Sequence, residues 1–163
     1  MVLMAPALVI KTGSTAAEST ISNYNGDIAA RLTSRCDLVK SYLLDNVRIN
    51  ELDARQNRVR GWEYVLRRLG GMQSTYTKFG IDYSPLAKTL FGLRQQLEQF
   101  KVDFESYDSE FLKLNSIDCR KDPEGFWRQL ETTRSFRAAI ALSAEDYQQT
   151  LEQTLNAEEA KWQ

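Results

Sequence analysis

The chain has 163 residues, 26% of them charged, yet 21 basic and 22 acidic side chains leave a net charge of only −1. That balance offers a polyanion no global attraction, so nucleic acid is not an expected partner. Histidine is absent throughout, which removes the usual general base, the commonest zinc ligand and the physiological pH switch together; no metal, no cofactor and no triad chemistry are expected.

Glycine (8) and proline (3) are scarce, and outside the opening MVLMAPALVI the apolar residues are dispersed at helical spacing, so the chain reads as all-α. No stretch approaches the roughly 18 apolar residues of a transmembrane helix, so no integral membrane span is expected. Residues 1–26 read as a signal-like or flexible N-terminal segment. The first ten have the length of a signal-peptide h-region and Ser14-Thr15-Ala16 resembles a small-x-Ala cleavage site, although a basic n-region is missing. Lys11 to Asn25 is a polar spacer.

Residues 27–163 read as an antiparallel three-helix bundle with coiled-coil-like long helices. The first arm, 27–80, starts at Asp27 as a candidate cap. Ile28, Leu32, Cys36, Val39, Leu43 and Val47 share one face, and Leu52, Val59, Trp62, Leu66 and Leu69 share another. The step from Val47 to Leu52 is five residues, so either one helix carries a stutter or two helices meet near 46–50. Gly70 and Gly71 weaken the arm by about 1 kcal/mol each relative to alanine, and the chain turns over Gly80 to Ser84.

The second helix, 85–115, opens with a Ser84-Pro85 cap and N1 proline. Leu86, Leu90, Leu93, Leu97, Phe100, Phe104, Tyr107, Phe111 and Leu114 then alternate steps of four and three, an a/d seam that belongs to a core. The third helix, 123–160, opens with the same signal at Asp122-Pro123-Glu124. Its seam runs Phe126, Leu130, Thr133, Arg137, Ile140, Ala144, Tyr147, Leu151, Thr154. Thr133 and Arg137 interrupt it; either its middle packs loosely or Arg137 meets an acid from a neighbouring helix. Arginines crowd the arm (Arg48, Arg55, Arg58, Arg60, Arg67, Arg68) and acids the end of the last helix, a charge pattern that matches facing helices.

An up-down-up path brings Cys36 and Cys119 to the same pole. The lengths disagree: 85–115 spans roughly 46 Å, whereas Cys36 to Gly80 would span roughly 66 Å. A disulfide therefore needs a bend in the arm near 46–50 or a loop 115–122 that reaches down to it. Two unrelated thiols in a reducing compartment are the alternative.

RCDLVKSYL early in the arm, RQNRVRGWEYVLRRL later in it, the leucine- and phenylalanine-spaced second helix and DCRKDPEGFWRQLETTRSFR together resemble a group of small exported two-cysteine helical-bundle proteins of uncharacterised function, found in candidate-phyla-radiation bacteria (Saccharibacteria-like). The resemblance spans roughly Arg35 to Arg137, and its specific features are the two cysteine motifs with Arg134 and Arg137. It implies export and no known activity. The missing n-region departs from its pattern.

The expected role is a non-enzymatic envelope or surface protein, structural or interacting, exported and disulfide-clamped between Cys36 and Cys119. The alternative is a cytoplasmic coiled-coil adaptor or chaperone-like module with reduced cysteines. A protein partner is expected, with Trp127, Arg134 and Arg137 as the candidate contacts, and self-association follows if a seam is left unfilled. Trp62 falls on the seam and Trp162 at a frayed end. The carboxylate pairs Asp103/Glu105 and Asp108/Glu110 sit two residues apart on a helix and cannot converge on a substrate.

Overall fold

The computed structural model describes residues 24–162, and all but the last three positions of the signal-like segment lie outside them. The described residues are all-helical, with no strand among them: α1 (Gly26–Ser34), α2 (Cys36–Tyr42), α3 (Ile49–Gly70), α4 (Gln73–Lys78), α5 (Ser84–Ser116) and α6 (Pro123–Glu159). A π-helical turn, Leu43–Arg48, joins α2 to α3.

Helix starts follow local chemistry. The cap of α1 is Asn25 rather than Asp27: its side-chain oxygen accepts the N–H groups of Asp27 and Ile28 at 3.1 and 3.0 Å. Ahead of α5 the Asp82 carboxylate takes the Ser84 N–H at 2.9 Å, so Ser84 is the first helical residue and not the cap. Asp122 caps α6 as expected, accepting from the Gly125 N–H at 2.8 Å.

The question left at 46–50 resolves as one continuous helix. Tyr42, Leu43, Arg48 and Ile49 all hold right-handed helical dihedrals, and the five-residue step is absorbed by the wider π turn. The arm is interrupted elsewhere, at Arg35 (φ −121°, ψ 20°) and after Gly70. That second break removes the length mismatch. The Tyr83 hydroxyl donates to the Gly70 carbonyl at 3.3 Å, so α5 begins level with Gly70 rather than Gly80. Cys36 to Gly70 spans roughly 51 Å and α5 roughly 50 Å.

Contacts climb the arm as they descend α5. Lys40 reaches Asn115, Arg48 reaches Asp108, Arg55 reaches Glu105 and Glu63 reaches Lys101. Along α6 they climb together with the arm, from Glu51 with Arg137 to Trp62 with Gln148 and Tyr76 with Glu158. Every seam position of α5 is at most 4% exposed, and each such Leu or Phe contributes about 1.5–3 kcal/mol of transfer free energy. On α6 Thr133 is buried, but its hydroxyl is satisfied by the Gln129 carbonyl at 2.8 Å. Arg137 turns outward.

The main core surrounds Trp62, Phe100 and Tyr147, with Trp62 4.3 Å from the Tyr147 ring and 5.1 Å from that of Phe100. Its far end is closed by fully buried Tyr76, whose hydroxyl donates to Glu158 while Lys161 bridges both. Trp162 is not frayed: it packs edge-on against Tyr76 and Phe79 at 5.6 and 5.7 Å. A smaller core joins Leu32, Cys36, Leu114, Cys119, Phe126 and Leu130 at the opposite pole.

Candidate functional site

At that second pole the sulfurs of Cys36 and Cys119 stand at disulfide distance, with Cα atoms 5.6 Å apart, inside the range of about 4.4–6.8 Å that the bond requires. Both residues are buried. Two polar ties flank the pair. Lys40 donates to the carbonyls of Asn115 and Ile117 at 2.7 and 3.1 Å, where the end of α5 leaves acceptors free and favours a cation. Arg120 pairs with Asp37. The turn is held from within by Asp118, which accepts the Arg120 N–H at 3.1 Å, a bond that lowers its carboxyl below the usual range.

Below this joint the arm and α6 separate. Between Cys36 and Trp62 the arm buries no side chain fully. The helices meet again where the Trp62 indole donates to Gln148 at 2.8 Å. An ion pair crosses the opening midway, Arg137 Nε donating to Glu51 Oε1 at 2.8 Å.

The opening holds two hollows. The upper, about 570 Å³, is walled by Arg35, Leu38, Val39, Leu43 and Val47 of the arm and backed by Phe111 and Leu130. The lower, about 630 Å³, gathers Arg55 and Arg58 from the arm with Arg134 and Arg137 from α6. Tyr107, Arg134 and Arg137 line both.

Tyr107 lies on the floor where the hollows join. It is 2% exposed, and its buried hydroxyl has no hydrogen-bond partner. Burial, with the nearby Glu51 charge adding to it and Arg137 opposing, pushes its pKa up to about 12. Arg55 also has a buried Nε without a partner, while its guanidinium lies 5.0 Å from the Phe104 ring centre. Arg58 and Arg35 enter no ion pair among the described residues.

Of the residues singled out from sequence, Arg134 and Arg137 reach the opening and Trp127 does not. Trp127 is half-buried against the disulfide-distance pole, 6.5 Å from the Tyr24 ring, with Arg134 stacked over it at 5.5 Å. Trp127 and Arg134 share one side of α6, because seven residues return a helix to within about 20°, while Arg137 lies about 80° round from Trp127. Arg134 is held by Glu131. The carboxylates weighed for catalysis are dispersed: Asp103 meets Gln99, Glu105 Arg55, Asp108 Arg48, and Glu110 both Lys113 and Gln129.

Sequence reading missed Tyr107, Arg35, Arg55 and Arg58 as parts of one site. A signal for Tyr107 was present, since it is the one hydroxyl in an α5 seam otherwise made of Leu and Phe. No described helix is long and apolar enough to cross a membrane. Comparison of the chain with protein-family models, with curated proteins and with solved structures finds no match in any of the three.

Proposed function

We propose that this protein is an exported, non-enzymatic binding protein of the cell envelope or surface, an antiparallel three-helix bundle clamped by a Cys36–Cys119 disulfide. The observation that carries the reading is the buried sulfur pair at bonding distance, because structural disulfides persist in oxidising compartments and are rare in reducing ones. The signal-like first residues and the likeness to small exported two-cysteine proteins support the same compartment. Binding is assigned to the stretch of α6 that carries Trp127, Arg134 and Arg137, where arginine and tryptophan offer the side chains that dominate protein contacts.

The test is the intact mass of the protein isolated from its native cells under thiol-blocking conditions, read before and after reduction. A shortened N-terminus and two thiols that become alkylatable only after reduction are expected. A full-length chain with both thiols already blocked would overturn the proposal in favour of a cytoplasmic coiled-coil adaptor or chaperone-like module.

A further inference from the structure

We propose that the opening between the arm and α6 binds one free, single-chain anionic amphiphile, its aliphatic tail in the upper hollow and its carboxylate or phosphate head among the arginines of the lower one. This site depends neither on export nor on a protein partner.

The two hollows differ in the way such a molecule differs end to end. The upper is the more apolar of the two, walled by aliphatic side chains although Arg35, Arg134 and Arg137 also line it, and about 570 Å³ falls within the roughly 300–1,000 Å³ of small-molecule sites. The lower sets Arg55, Arg58, Arg134 and Arg137 around Glu51, with Arg55 and Arg134 also meeting Glu105 and Glu131 and Arg58 in no ion pair among the described residues. Guanidinium groups bind carboxylate and phosphate oxygens in bidentate fashion. Tyr107, buried between the hollows with an unpartnered hydroxyl, is a donor awaiting an acceptor. A buried donor left unmatched is unfavourable, and a head group that displaces the side chains covering this hydroxyl supplies its acceptor.

The shape selects among occupants. The opening is shut at both ends, by the Cys36–Cys119 pole and by Trp62 on Tyr147 and Gln148, and the Glu51–Arg137 pair spans its middle. A partner helix is about 10 Å across and would have to break that strut. An alkyl chain passes beneath it, over Tyr107. A bilayer surface cannot reach a floor residue that is 2% exposed. The π turn adds an independent sign, since such turns recur at functional sites and Leu43 and Val47 of this one form the wall of the tail hollow.

The experiment titrates the full chain with myristate, kept below its micellar concentration, by calorimetry. Saturable binding of one molecule per chain is expected, with no binding of dodecyltrimethylammonium. Arg58→Glu combined with Arg134→Glu should weaken binding about tenfold or more. Val47→Trp, which fills the tail hollow, should abolish it, and Tyr107→Phe, which keeps the ring and the fold, should weaken it several-fold. Arg68→Glu, on an exposed arm position, should change nothing. Equal affinity for the cationic amphiphile, or affinity untouched by Tyr107→Phe and the arginine pair together, would overturn the site. So would binding to anionic vesicles or to an acidic helical peptide with none to myristate.

Discussion

The seam of α5 and the middle of the arm were built from the same kind of residue, yet they end differently. From Leu86 to Leu114 every α5 seam position is buried, whereas between Cys36 and Trp62 no arm position is. The difference lies in what covers each stripe. Alternating steps of four and three keep one stripe facing inward for the length of α5. On the arm the stripe is offset by the five-residue step from Val47 to Leu52, the π turn takes up that offset, and Val39, Leu43, Val47, Leu52 and Val59 are left only half-buried. The α5 seam is covered along its whole length, whereas the arm stripe keeps its face through the π turn and is still left half-buried beside a recess.

Truncation should separate the two regions most sharply at the floor of the core. Phe100→Ala, at a position 1% exposed, is expected to destabilise by about 3–5 kcal/mol, measured by urea denaturation. A loss below that range would mean the α5 seam is less tightly packed than its burial indicates. The sulfur pair comes next. Replacing Cys36 and Cys119 together by serine should remove about 2–4 kcal/mol and lower the melting temperature with helix content unchanged by circular dichroism at room temperature.

High pH should act through the core. Tyr107 and Tyr147 both have pKa values raised to about 12, each chiefly by burial. A raised pKa in the folded state favours folding while the phenol is neutral: the contribution is whole below about pH 10, the unfolded value, and is lost as pH rises through about 12. Stability should therefore fall in that window, and tyrosinate absorbance followed through an alkaline titration should show two tyrosines ionising late. The smallest effect belongs to the arm: Val47→Ala should cost about 1 kcal/mol or less, because the side chain is already half in solvent. A cost equal to that of Phe100→Ala would erase the contrast.

Much of this was legible in the residues. The boundaries of α5 and α6 followed from serine, aspartate and proline, and the buried face of each from its heptad. For Arg137 the residues left open loose packing or an acid from a neighbour; the side chain turns outward from the seam and Glu51 supplies the acid. Two features were not legible, for a physical reason. Equal length of arm and α5 depends on where the arm stops running alongside its neighbour, a tertiary matter decided at Gly70 by Tyr83 and not by the later, stronger turn at Gly80. The recess depends on two helices failing to meet, and no single stripe of apolar residues reports the absence of a neighbour. Arg55 and Arg58 read as a solvated basic face until α6 brings Arg134 and Arg137 opposite them.

The closed seam and the open arm are compared most directly by native-state amide hydrogen exchange on the oxidised protein, repeated after reduction. Amides of 97–111 in α5 should exchange only through global unfolding, and those of 39–59 in the arm through cheaper local openings, with the gap widening once the sulfur tie at the upper pole is cut. Equal protection of the two segments, unchanged by reduction, would contradict the account.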